Sequence, residues 1–592
     1  MRHALRASPT PPDAASAGPP MTTTNAGGER FHAWNPGIGT GIPAAFRDLE
    51  TLYRPECTLA SRDEIEAYMS LTGLPPERLA VFRPERLVLH ELIVRVTAEI
   101  AVPEGAEEEA FGKNFRHIAL TVLTRYVAPH LAEIEARHVA LGRRVERAVS
   151  ELLGGHRPAP APAVPKPRHW LSRLLAPGPR QAPPEPPGES DEQTVARFTT
   201  LAEQANDPET RAIHKSLARV LGAILLTRGS LGADRELLVR LVRHHVGNTY
   251  GSRIVGEAIA PLLEQAIERE GLQRAPLRET PILISLKGPS AAGKSSLRPM
   301  LKRVMREHGI EAERFVTISP DIWRRLLLDF ESLGDARKYA GQLTSREVMV
   351  VDAKLDRHIR DKAQRDQTIP DILVDRFRFD SFDGTAVARV LHKTYASFVH
   401  TMYMYFVVTP PSETVERGWR RALERGRYKS VEDFLGHSVE AYSGMSKIFF
   451  RWLAQRRPDY RYVFLDNRVP KGEFPKLAAS GDQREMTIVD PLVLVNIERY
   501  RRINIYARNP QEVDPPTARL AIADNMGFLL HCLRAIETVK FASSDGDVYL
   551  YARNGRVEVV DRSMFSSLGS ADPELREVFA QLPVLTPPST AT

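Results

Sequence analysis

Cysteine is scarce in this chain: two residues among 592, Cys57 and Cys532, far apart. That count excludes a disulfide framework and reads as two free thiols in a reducing, cytoplasmic setting. No apolar run approaches the roughly 18 residues of a membrane span. Residues 1–30 lack the apolar central block of a secretory signal. Their polar, Pro- and Gly-rich composition predicts a disordered tail, with Met21 as an alternative start. No block of like charge occurs. The net charge of +7 is small for the length and its charges are interspersed. That balance suits an anionic small molecule, and it argues against a nucleic-acid partner, which would show a basic stripe. No repeat at a solenoid period is present. The adjacent His244 and His245 would point to different helix faces, which does not make a metal site.

Hydrophobic residues make up 42% and charged residues 26%, ordinary for a folded protein of about four domains. Residues 31–154 carry apolar side chains at three- and four-residue spacing, with Ile118, Ala119, Val122, Leu123 and Tyr126 on one face, and predict a helical domain. It offers a surface for a protein partner. Residues 155–191 are so rich in proline that they predict a semi-rigid linker. The apolar island HWLSRLLA inside it is either a chance patch or a short docking helix. Residues 192–275 are again helical.

The period then changes. PILISLKG reads as a buried strand, followed by a glycine turn and the helical LRPMLKRVMREHG. RFVTIS, DILVDRF, MYMYFVVT and YRYVFLD read as further strands with helices between. That alternation predicts an α/β domain over 276–480, a parallel sheet with helices on both faces. Residues 481–580 predict a small α+β appendage, with a helix from Ala518 to Ile536 and a two-residue hairpin at Asn554-Gly555.

Gly288-Pro289-Ser290-Ala291-Ala292-Gly293-Lys294-Ser295 satisfies G-x-x-x-x-G-K-[ST], with Ser296 next. Glycines let the backbone curl so that successive N–H groups face phosphate oxygens. The helix start behind them favours anions. Lys294 is expected to bridge the β- and γ-phosphates, and Ser295 to offer its hydroxyl to Mg²⁺. The loop therefore predicts a bound nucleoside triphosphate with magnesium.

Three further features bear on the chemistry. Asp321 follows a strand in S-P-D-I-W-R, where a carboxylate is placed to orient an attacking hydroxyl. The same local sequence fits a plain helix N-cap. Arg324, one turn on, would grip an anionic substrate. Asp375 ends the strand DILVD and is placed to hold Mg²⁺ through water or to orient substrate, with Arg376 and Arg378 as neighbouring cations. A loop salt bridge is the alternative. Arg417, Arg421 and Arg425 are spaced by four and share a helical face. Arginines so placed stabilise a phosphoryl group in flight, although Glu416 and Glu424 would also fit a solvated basic face. N-K-x-D is absent, with LDNRVP standing instead, and the loop lysine excludes a protein-kinase layout.

These residues resemble the zeta-toxin family of P-loop kinases over about Pro281 to Ala479. The likeness rests on the phosphate loop, D-x-x-R at Asp321–Arg324, the segment Tyr339–Glu347, the acidic strand end at Asp375 and the Arg-rich stretch ending R-G-R. The resemblance implies transfer of phosphate from ATP, with Mg²⁺, to a hydroxyl of a nucleotide sugar, typically UDP-N-acetylglucosamine. It implies Asp321 as base, Lys294 and Ser295 on phosphate and metal, and Arg417 and Arg425 on the transferred group. D-R-F-R-F-D stands here where family members often carry a Glu-Gly-Thr-like turn. A polynucleotide kinase or nucleic-acid-processing NTPase, and a nucleotide-gated interaction protein, are the alternative readings.

Overall fold

The computed structural model describes residues 31–105, 107, 109–154, 189–307, 309–376, 397–514, 520–553 and 555–583. The expected tail, nearly all of the expected linker with its apolar island, Arg378 and Asn554 lie outside these residues. The described chain forms two compact units, one of residues 48–92 and 123–263, the other of residues 31–47, 93–122 and 264–583.

The first unit is helical. Its helices start on side chains that satisfy the free N–H groups of a first turn. Ser61 and Ser190 each close a capping box, and Asp207 and Asp234 accept from Thr210 N–H and Leu237 N–H. Leu141, Val145 and Val149, one helical turn apart, are buried on one face of the helix Leu131–Gly154. His245 places Nδ1 2.8 Å from the Ser216 hydroxyl, and His244 lies 6.4 Å from the Tyr68 ring. The two adjacent histidines have different neighbours, and neither belongs to a group of three or more His, Cys, Asp or Glu side chains among the described residues that could hold a metal. No helix of the described residues is long and apolar enough to cross a membrane.

The second unit is built on one mixed ten-stranded sheet with helices on both sides. Its strands are β1 (Ile282–Lys287), β2 (Val316–Ile318), β3 (Ile372–Asp375), β4 (Thr401–Val408), β5 (Asp459–Asp466), β6 (Lys476–Asp482), β7 (Glu485–Ile488), β8 (Thr538–Ala542), β9 (Val548–Arg553) and β10 (Arg556–Val559). The spatial order is β10-β9-β8-β7-β6-β5-β4-β1-β3-β2. The predicted parallel sheet holds from β2 to β5, where every pairing is parallel. β1 to β4 are largely buried on both faces, which is why they read as apolar runs, whereas β5 keeps Arg461 exposed. Beyond β5 the sheet departs from that expectation: β6 and β7 run antiparallel, β7 pairs β8 in parallel, and β8 to β10 are antiparallel again. The boundary expected at 480/481 falls inside β6, and the sheet continues through it.

β1 lies between β3 and β4, so the chain leaves it toward one side and returns on the other. Such a switch point opens a crevice beyond the carboxyl ends of the strands. The segment after β1 is the phosphate-type loop, and the helix Lys294–Glu307 leaves from it. Leu297, Leu301 and Met305 of that helix pack on Ile284 and Leu286 of β1, Leu373 of β3 and Val407 of β4. This core fixes the loop against the sheet edge.

Candidate functional site

Five parallel strands deliver their last residues to one edge. β1 ends at Lys287, β2 runs on to Asp321, β3 ends at Asp375, β4 leads to Thr409, and β5 to Asn467. Around that edge lies a cleft of about 990 Å³, lined by Ser290 to Ser296 on one wall. Asp321, Arg324, Asp375 and Arg376 line it as well. Arg417, Arg421 and Arg425 of the helix Pro411–Arg425 line it too. Sequence separation thus hides one constellation, and every predicted site residue from Ser290 to Arg425 within the described chain reaches it. Gly288 and Pro289 stand behind it and are not on its surface.

The loop is shaped by its backbone. Gly293 has φ of 94°, and a Cβ there would come 2.4 Å from the Asn467 amide nitrogen. Ala291 takes φ of 61° despite its side chain. Asn467 donates to the Ala292 carbonyl at 2.6 Å and Thr409 donates to it at 3.3 Å, so β4 and β5 clamp the loop from behind. Lys294 Nζ donates to the carbonyls of Gly288 and Pro289, each at 2.8 Å. Burial pushes its ammonium down to about 8, Arg421 adds to that, and Asp375 and Asp321 oppose it.

Ser295 and Asp375, the two residues expected on the metal, lie side by side. Ser295 Oγ donates to Asp375 Oδ2 at 3.1 Å. A hydroxyl and a carboxylate beside a phosphate cradle are the hard donors magnesium takes, since it keeps several waters and borrows phosphate oxygens. The same carboxylate oxygen accepts from Arg298 at 3.2 Å.

Asp321 sits in the short turn Pro320–Trp323 that follows β2, the neighbour of β3 in the sheet. Ser319 holds the N-cap position there without a side-chain cap bond, so the N-cap alternative for Asp321 is not realised. Its carboxylate pairs with Arg324 Nε at 3.0 Å and Arg427 at 2.6 Å. The cleft around this half-exposed carboxylate strips some of its water and pushes its pKa up, but Arg427, Arg324 and Arg421 outweigh that and hold it well below the usual carboxylate range. Arg324 also donates to the Gly341 carbonyl at 2.6 Å and to Thr344 at 2.9 Å, which anchors it to the family-like segment Tyr339–Glu347. Arg376 pairs with Asp352 and Asp356, both at 2.9 Å, so its charge is committed within the protein. Arg417 donates to Glu413 at 2.8 Å and to the Asn467 carbonyl at 2.6 Å.

Residues 267–457 match the family model described as Zeta toxin. This zeta-toxin-like segment is similar to P-loop kinase-like, ATP-using enzymes. No curated protein and no solved structure matches the chain. The cleft is wider than the zeta-toxin-like segment, because Asn467, Arg468 and Lys471 line it from beyond residue 457. Sequence reasoning missed these, and it missed His437, Lys429 and Arg427 as partners of the Asp321 side. Lys429 Nζ contacts the His437 ring. Burial and the Lys429 charge push His437 down to about 2, while burial lowers Lys429 to about 7. Arg427 was visible in R-G-R, yet its pairing with Asp321 spans two elements and leaves no local pattern.

Proposed function

We propose that this cleft is the active site of a kinase that moves the γ-phosphoryl group of ATP onto a hydroxyl of an anionic small molecule, with a nucleotide sugar such as UDP-N-acetylglucosamine as the leading acceptor. One observation carries the reading. A phosphate-type loop with its lysine, and a carboxylate held ionised, line the same cleft with an arginine row along its wall.

When bound, ATP with magnesium supplies the phosphoryl group and the cationic charge on its oxygens. Loop N–H groups and Lys294 bind the phosphates, and Ser295 with Asp375 would hold the metal directly or through water. Asp321 accepts a hydrogen bond from the acceptor hydroxyl and aims its oxygen. A carboxylate this acidic is a weak base. Phosphoryl transfer is loose enough that the new O–P bond forms, and the bridge to the β-phosphate breaks, before the proton leaves the hydroxyl. Asp321 then receives that proton late. Arg417, Arg421 and Arg425 stabilise charge spread over the equatorial oxygens.

The test is phosphate transfer from labelled ATP to a metabolite extract, with the labelled product identified by mass spectrometry. Asp321→Asn is expected to bind ATP as the native protein does and to transfer phosphate at least about 10²-fold more slowly. Normal transfer by Asp321→Asn would remove Asp321 from this role.

A further inference from the structure

Residues 100–105 precede the zeta-toxin-like segment by more than 150 positions, yet they reach its metal side. Glu104 accepts from Arg298 Nε, and its other oxygen lies 3.3 Å from Lys302 Nζ. Arg298 NH1 in turn reaches Asp375 Oδ2, the oxygen that faces Ser295. The Phe111 ring covers the Arg298 guanidinium at 4.7 Å. Arg298 is 2% exposed and Asp375 7%. Arg298 and Asp375 are therefore buried, and the Glu104 side chain, 10% exposed, is nearly so.

The helix Lys294–Glu307 explains why Glu104 is needed. Lys294, Arg298 and Lys302 recur every fourth residue down one face, and all three are buried. Without Glu104, Asp375 would be drawn toward this column of cations as its nearest counter-charge. Glu104 takes up Arg298 and Lys302 together and leaves Asp375 shared between Arg298 and Ser295.

We propose that Glu104 is a positioning residue for magnesium: through Arg298 it sets the orientation of the Asp375 carboxylate beside Ser295. The inference rests on the nucleotide-binding reading of the cleft. Outer partners of metal-side ligands change metal affinity about 10- to 100-fold.

The experiment is calorimetric titration of the full chain with a non-hydrolysable ATP analogue across a magnesium series, which needs no acceptor. Glu104→Gln is expected to raise the magnesium concentration for half-maximal nucleotide binding about tenfold. Affinity at saturating magnesium should change less than about threefold, and Glu104→Asp should restore part of the loss. The double variant Glu104→Gln/Lys302→Met keeps the charge balance and should keep the shifted requirement. It serves in place of the single variant should that one unfold. A native magnesium requirement in either folded variant overturns the positioning role. Nucleotide binding by the native protein that ignores magnesium, or is absent, overturns the nucleotide reading itself and this inference with it.

Discussion

Two helices of the larger unit carry cations at the same four-residue spacing and use them differently. In Lys294–Glu307 the column Lys294, Arg298, Lys302 is buried and matched by Asp375 and Glu104 from other elements. In Pro411–Arg425 the row Arg417, Arg421, Arg425 is half-buried along the cleft wall. Arg417 pairs with Glu413 at 2.8 Å, and Arg425 lies 3.5 Å from Glu109 and 4.0 Å from Glu424. Spacing by four sets a shared face in both. Whether that face is structural or open to a ligand depends on which carboxylates the tertiary fold delivers to it.

That contrast can be broken by experiment. The largest effect is expected at the top of the buried column, where Lys294→Ala should cost at least about 10³-fold in phosphate transfer with little loss of thermal stability, because its burial already disfavours the charge. Unfolding of Lys294→Ala would make that lysine structural as well. One turn further down the order reverses. Arg298→Met strands Glu104 and Asp375 in the interior and should cost about 3–5 kcal/mol in denaturant unfolding. Arg421→Ala, on the wall, should lower turnover about 10²-fold and leave stability within about 1 kcal/mol. A stable Arg298→Met protein, or an unfolded Arg421→Ala one, would erase the difference between the two helices. The smallest effect is a proton. Lys294 sits at about 8 in the free protein, and a polyphosphate beside its ammonium favours the charged form. Between about pH 8 and 10 nucleotide binding should therefore take up part of one proton and weaken as pH rises, read from the buffer dependence of the binding enthalpy.

The phosphate-type loop was legible in the sequence because its determinants are consecutive residues between a buried strand and a helix start. Asp321 and Asp375 were legible as strand ends, since their strands are apolar runs. Glu104, Asn467 and Lys471 were not. Asn467 touches the loop 175 positions away and Glu104 touches Arg298 194 positions away, and neither sits in a pattern that marks it. The strands tell the same story. β4 is rich in aromatic and β-branched residues and was readable, whereas β6 reads KLAASGD, a composition with little strand preference. It becomes a strand because β5 offers it an edge, which explains why the sequence reading cut the domain at 480. Arg376 shows the opposite failure: its neighbourhood is as expected, but Asp352 and Asp356 already hold it.

The ten-stranded sheet has a bearing on how the protein can be divided. A fragment limited to residues 267–457 would end before β5 and bare the flank of β4, whose eight residues Thr401–Val408 are mostly buried. An apolar strand flank left open offers its N–H and C=O groups to any passing chain. Such a fragment would pair with itself and come out of solution, and it would lack Asn467 behind the loop. The flanking sequence is the cover that keeps the central strands from acting as a template.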